Sequence, residues 1–197
     1  MRVAVYVGSS PGDGPGFAEA AREVVRGLAD AGHSLVYGGG RAGLMGVVGD
    51  TAVAAGMDVL GVTTRALVDG ETAHTGLGRL EVVDTMGERK ARMADAADAM
   101  VALPGGVGTL EEFFEVWTAQ ILGIHRCPVA LYDVDGYWDP LVEMVDTMVR
   151  RGFLSAGARD GLVVADTPAG LLDGLRRWEP PRPRWERPAP ATDGDGE

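Results

Sequence analysis

Leu103-Pro104-Gly105-Gly106-Val107-Gly108-Thr109-Leu110-Glu111-Glu112 joins an apolar run, Ala99–Leu103, to an amphipathic stretch, Thr109–Leu122. The first reads as a buried strand and the second as a helix with its apolar stripe on Leu110, Phe113, Phe114, Trp117 and Ile121. A strand, a glycine turn and a helix start make a βα unit, and the pattern repeats in both directions. Upstream lie apolar runs at Val3–Gly8, Leu35–Tyr37, Asp58–Thr63 and Leu80–Asp84, with helical periods at Phe17–Ala31, Leu44–Ala55 and Glu88–Ala97. Downstream come strands at Val129–Tyr132 and Leu162–Ala165 and helices at Trp138–Arg150 and Pro168–Arg177. Ala66–Arg79 reads as a loop. Continuously apolar strands separated by helices predict a mostly parallel sheet, doubly wound with helices on both faces. Its ligands belong beyond the carboxyl ends of the strands, where every glycine-rich turn of this sequence falls.

Composition narrows the function. At 46% hydrophobic and 24% charged residues over 197 positions, the sequence suits one globular domain, 1–178. From Glu179 the apolar period gives way to Pro, Arg, Asp and Gly, which predicts a disordered tail over 179–197. A net charge of −11 denies nucleic acid the basic footprint it needs. No apolar run approaches the roughly 18 residues of a membrane span, and Val3–Gly8 is too short for a signal peptide. The single cysteine, Cys127, cannot form an internal disulfide, so a cytoplasmic location is expected. His33, His74 and His125 lack ligand spacing, so no metal is expected.

Four segments carry chemistry. In the turn after Leu103, glycines let backbone N–H groups approach an anion, and the helix dipole adds positive potential. Thr109-x-x-Glu112 also reads as a capping box, with Thr109 as N-cap and Glu112 at the third helical position; three glycines and a proline within Pro104–Gly108 exceed what capping needs. The second segment, Gly38-Gly39-Gly40-Arg41-Ala42-Gly43, has the glycine spacing of a dinucleotide fingerprint. The next strand ends in Thr63-Thr64-Arg65 without the acid that NAD requires, so a glycine wall for a nucleotide, at Gly39, is the better reading. In the third, Met86-Gly87-Glu88-Arg89-Lys90, two cations oppose the dipole at a helix start, and such positions point to function. An arginine fork and a lysine point charge suit phosphate, although a solvated face would look the same. The fourth is Gly8-Ser9-Ser10, whose hydroxyls suit phosphate or ribose.

Together these segments resemble the Lonely Guy (LOG) family of cytokinin riboside 5′-monophosphate phosphoribohydrolases, chains that older descriptions often called lysine decarboxylases. The likeness spans residues 3–178 and centres on Pro-Gly-Gly-x-Gly-Thr-x-x-Glu at Pro104–Glu112, supported by Gly38–Gly46, Arg89-Lys90, Gly8-Ser9-Ser10 and Val134-Asp135-Gly136-Tyr137-Trp138. It implies a Rossmann-like fold, a homodimer with sites near the interface, and a purine nucleoside monophosphate substrate cleaved to base and ribose 5-phosphate. It further implies catalytic roles for Arg89 and Glu112, and substrate contacts at Glu71, Lys90, Gly106, Val107, Gly108, Thr109, Leu110, Glu111 and Thr118. Gly87 replaces a histidine common in the family, and Val7 a cysteine. The wider superfamily includes molybdenum-cofactor binders, so a non-catalytic nucleotide or molybdenum-cofactor binding protein is the alternative.

The residues suggest how the reaction would run. Breaking a C1′–N9 bond builds oxocarbenium character on the ribose, which glycosidases meet with a carboxylate. Glu112 lies off the apolar stripe at the turn edge and suits that role, with Glu111 in reserve. Arg89 would hold phosphate or ribose, and the Gly105–Thr109 amides would cradle the phosphate. No cofactor is required. Phe113, Phe114 and Trp117 lie on one helix, and Leu141, Val142, Met144, Val145 and Met148 on another that is apolar on more than a single stripe, which predicts a homodimer.

Overall fold

The computed structural model describes residues 1–70 and 73–181. Among the described residues, seven strands form one sheet: β1 (Arg2–Tyr6), β2 (Ser34–Tyr37), β3 (Val59–Thr64), β4 (Arg79–Val83), β5 (Ala99–Ala102), β6 (Val129–Tyr132) and β7 (Leu162–Ala165). Every pairing is parallel, in the order β4-β3-β2-β1-β5-β6-β7. The helices are α1 (Pro15–Asp30), α2 (Gly43–Ala54), α3 (Arg65–Asp69), α4 (Met86–Asp95), α5 (Val107–Ile121), α6 (Asp139–Arg150), α7 (Ala156–Asp160) and α8 (Pro168–Arg177). The expected strands and long helices are all present, with ends shifted by a residue or two. The expected loop over Ala66–Arg79 begins instead with α3, and α7 is new; each is five residues, too short to display a helical period. Ser155 stabilises the start of α7 by accepting from the Ala158 amide at 3.2 Å.

Burial follows the pleat. Val3, Val5 and Val7 point to one face of the sheet and pack with Ala21, Val24, Val25 and Leu28 of α1, Leu44 and Val48 of α2, and Leu171 and Leu175 of α8. Ala4 and Tyr6 point to the other face, against Met93 of α4, Phe113, Val116 and Trp117 of α5, and Val145 of α6. Both faces of the central strands are covered, which is why those strands lack alternation.

Strand order determines where a ligand can bind. The chain builds outward from β1 to β4, then returns to place β5 on the opposite side of β1. At that switch point the connections leave β1 and β5 toward opposite faces and open a crevice beyond their carboxyl ends. There Gly8 donates its amide to the Pro104 carbonyl at 3.1 Å, and a Cβ on Gly8 would stand 3.1 Å from the Gly105 Cα. Two glycines let the two loops touch. At the far end, the Trp178 indole N–H donates to the Gly161 carbonyl at 2.7 Å. Of the tail expected over 179–197, residues from 182 on lie outside the described residues.

Candidate active site

α5 starts earlier than the sequence suggests, and this changes what its first residues do. Its N-cap is Gly106, with no side-chain cap, so Thr109 is the third helical residue and Glu112 the sixth. The expected capping box at Thr109 and Glu112 is therefore absent. Thr109 is buried with its hydroxyl on the bare Cα face of Gly105, which no larger residue could share. Glycine at 105 lets the helix begin in this close approach. The capping box belongs to α4: Thr85 Oγ1 accepts from the Glu88 amide at 3.1 Å, and Glu88 Oε2 accepts from the Thr85 amide at 3.1 Å. α4 thus starts at Met86 rather than Glu88, and Glu88 offsets the cost of the cations that follow.

A cleft of about 560 Å³ opens at the switch point. Gly8, Ser9 and Ser10 line it from the β1–α1 loop, Gly105 through Thr109 from the α5 start, and Arg89, Glu111 and Glu112 from α4 and α5. Phe17, Leu44, Met45, Leu67, Met86 and Tyr137 make its apolar wall. A helix start without a side-chain cap, in a cleft that also has apolar residues, suits a molecule that is charged at one end and flat and greasy at the other.

The buried pair in the cleft is Arg89 with Glu112. Their side chains are only 7% and 12% exposed, and Arg89 Nη1 donates to Glu112 Oε1 at 3.1 Å. Arg89 Nε also donates to the Val62 carbonyl at 3.0 Å, and Nη2 to the Gly38 carbonyl at 3.3 Å. At least three of its five N–H donors are thus engaged within the protein. The guanidinium lies directly on Gly38, where any Cβ would overlap Nη2. Burial pushes the Glu112 carboxyl above the usual glutamate range; Arg89 pulls it down, and Glu111 pushes it up again. Burial outweighs the ion pair here, as expected where desolvation exceeds the Coulombic gain. Beneath the pair, Tyr6 is held protonated by burial and by the charges of Glu112 and Glu115.

Other expected site residues fall elsewhere. Lys90 forms ion pairs with Glu111 and with Glu115, tying α4 to α5, and it lines a smaller hollow beside Tyr6 and His125 rather than the cleft. Those carboxylates raise its ammonium pKa. Gly39 adopts φ +66° and packs against Leu80 and the Val62 amide, so it is a packing glycine and not a cleft wall. Leu110 is half-buried in the core on the α5 side of the sheet, and Thr118 is exposed, neither lining the cleft. Glu71 lies outside the described residues. Sequence reasoning missed the carbonyls of Gly38 and Val62 and the phenol of Tyr6: a backbone acceptor leaves no mark in a sequence, and Tyr6 reads as an ordinary strand residue. It also gave Tyr137 no role of its own, although the quoted Val134–Trp138 motif contains it.

Comparison with known proteins shows the family. A family model described as "Possible lysine decarboxylase" matches residues 45–175. The chain is 44% identical to a cytokinin riboside 5′-monophosphate phosphoribohydrolase of Arabidopsis thaliana, over 91% of this chain and 82% of that one. It is 42% identical to another enzyme so named from Oryza sativa subsp. japonica, over 91% and 74%. Among solved structures, a molybdenum cofactor binding protein from Rippkaea orientalis superposes with a TM-score of 0.66 over 89% of this chain and 94% of that one. At 18% identity, that likeness shows a shared fold and no more.

Proposed function

The chain belongs to the Lonely Guy (LOG) family, and from that membership we propose that it hydrolyses the N-glycosidic bond of purine nucleoside 5′-monophosphates, cytokinin riboside monophosphates and AMP among them. The products are free base and ribose 5-phosphate. The observation that carries this reading is a buried carboxylate, Glu112, held by Arg89 in a cleft that also holds the uncapped start of the same helix. The phosphate docks on the amides from Gly106 to Thr109, with Ser9 beside it, and the purine lies along the apolar wall. As the C1′–N9 bond breaks, its electron pair leaves with the base and C1′ becomes electron-poor. Glu112, ionised, faces that charge and takes a proton from the water that adds to C1′. Overall, hydroxide joins C1′ and one proton departs on the base. Arg89, with most of its donors committed, fixes the carboxylate rather than gripping the phosphate.

The decarboxylase reading finds little support in the lysine. Lys90 is the only lysine in the sequence, and a Schiff base needs a neutral amine. Glu111 and Glu115 hold it in the charged form.

Two results test the proposal. An anion site that contributes several charge-assisted hydrogen bonds makes the phosphate a handle. AMP is then cleaved with kcat/KM at least about a hundredfold above that for adenosine; equal efficiency on the two contradicts it. The second test concerns assembly, since the reading includes a homodimer. Phe113 and Trp117 turn inward to the core, so α5 supplies less surplus surface than its sequence suggests. α6 supplies more: only Val145 is fully buried, while Met144 is 53% exposed, and the loops after α5 and α6 present Ile124 and Phe153 to solvent. Light scattering during turnover should report about twice the chain mass of 20.6 kDa, with specific activity falling on dilution. A fully active species of single-chain mass contradicts the dimer.

A further inference from the structure

The β6–α6 turn is built around one carboxylate to present one tyrosine. Asp133 Oδ2 accepts from the Gly136 amide at 2.8 Å, and Oδ1 accepts from the Trp138 amide at 2.6 Å. Between them, Asp135 holds φ +52° and Gly136 φ +76°. Asp135 is the sole non-glycine residue with positive φ among the described residues, a conformation that persists only where its surroundings enforce it. The product of this turn is Tyr137. Its hydroxyl donates to the Gly105 carbonyl at 2.7 Å, and its ring meets Phe17 edge-on at 5.7 Å and Trp138 at 4.8 Å.

That hydroxyl lands on the one peptide of the turn that joins two glycines. The Gly105–Gly106 unit has glycine on both sides, so it can rotate at little steric cost. In a trans peptide C=O and N–H point in opposite directions, and a flip exchanges them. The rotated form would set a carbonyl dipole where an amide N–H had been, and a carbonyl repels an anion. The phenol anchors the carbonyl and so fixes the amide of Gly106, the N-cap of α5. Through Phe17, the same ring braces the start of α1 and the loop that carries Ser9. Tyr137 thus connects the two loops that meet at Gly8 and Gly105.

We propose that Tyr137 is a positioning residue that locks the Gly105–Gly106 peptide in its anion-binding orientation and so sets affinity for the phosphate of the substrate. The inference rests on the hydrolase reading for its substrate and on geometry alone for the lock. Because the lock acts on phosphate held alike in ground and transition states, its loss raises KM and spares kcat.

Tyr137→Phe keeps the ring and removes the hydroxyl. Loss of one neutral hydrogen bond corresponds to about a three- to tenfold change. The KM for AMP and the inhibition constant of ribose 5-phosphate should both rise by that factor. kcat should stay within about twofold, and inhibition by adenosine, which lacks the phosphate, should not change. Calorimetry of ribose 5-phosphate with both proteins reads the lock without turnover. Unchanged constants overturn the proposal, as does a fall in kcat at constant KM. Equal weakening of adenosine and ribose 5-phosphate with a lowered melting temperature assigns the tyrosine a merely structural role and also overturns it. Wild-type protein that binds ribose 5-phosphate but leaves AMP intact contradicts the hydrolase reading, and the calorimetric comparison then decides the tyrosine alone. Wild-type protein that binds neither overturns both.

Discussion

Glu112→Gln should fold as well as the wild type while losing about 10²- to 10⁴-fold in kcat, the range over which a positioned acid or base contributes. The two effects separate because Glu112 is not a helix cap. Glutamine still offers Arg89 an oxygen acceptor and fills the same space. Charge is what differs, and burial has already made that charge unfavourable. Because burial raises the carboxyl pKa, the native state holds its proton more tightly than the unfolded chain does. The contribution of Glu112 to stability is therefore full below the unfolded glutamate pKa and is lost as pH rises through the raised native value. Near neutrality the ionised group costs stability, so its neutral isostere should melt at the wild-type temperature or slightly above. The same shift sets the acid limb of the wild-type kcat/KM profile above the usual glutamate range, because the reaction needs the ionised form. Wild-type turnover by Glu112→Gln would remove the residue from the chemistry.

Gly38→Ala should be nearly as damaging, although position 38 does not line the cleft. A methyl group there occupies the space of Arg89 Nη2. The guanidinium must move, breaking its bonds to the Gly38 carbonyl and to Glu112. A displacement of about 1 Å in a positioning group costs on the order of 100-fold in rate, and overpacking adds about 1–3 kcal/mol of instability. With its arginine withdrawn, Glu112 loses the attraction that lowers its pKa, so a larger fraction is protonated at neutral pH and the acid limb moves upward. Gly108→Ala is the control, because a Cβ there meets no protein atom within 4 Å. It should leave the melting temperature unchanged, with any effect confined to substrate binding. Both are read from steady-state rates and thermal melts; a Gly38→Ala enzyme with normal rates would mean that Arg89 does not hold the carboxylate.

The contrast between positions 38 and 39 shows what could be read beforehand. Glycine spacing at the end of β2 suggested a wall for a nucleotide, but the space over these glycines is filled by the protein itself. The spacing could not say what fills it: at 38 it is an arginine of the same chain, and at 39 the packing of β3 and Leu80. The strands were legible because parallel burial writes itself as continuous apolar runs. α3 and α7 were not, since one helical turn leaves no period. Lys90 illustrates a different limit. Adjacent cations suggested one phosphate grip, but neighbouring helical residues point about 100° apart. Arg89 therefore turns into the cleft, and Lys90, which does not line it, turns to Glu111 on its rim and to Glu115. Glu112 was legible as the off-stripe carboxylate, although its expected capping partner proved to be a packing residue.

The central claim is tested most directly by chromatography of the products formed when the purified chain is incubated with AMP and, separately, with isopentenyladenosine 5′-monophosphate. Hydrolysis at the N-glycosidic bond predicts free base and ribose 5-phosphate in equal amounts from either nucleotide, with the phosphate still on the sugar, and neither product when Glu112→Gln replaces the wild type. Nucleotide left intact by the wild-type protein, or consumed with release of inorganic phosphate and nucleoside, would contradict it.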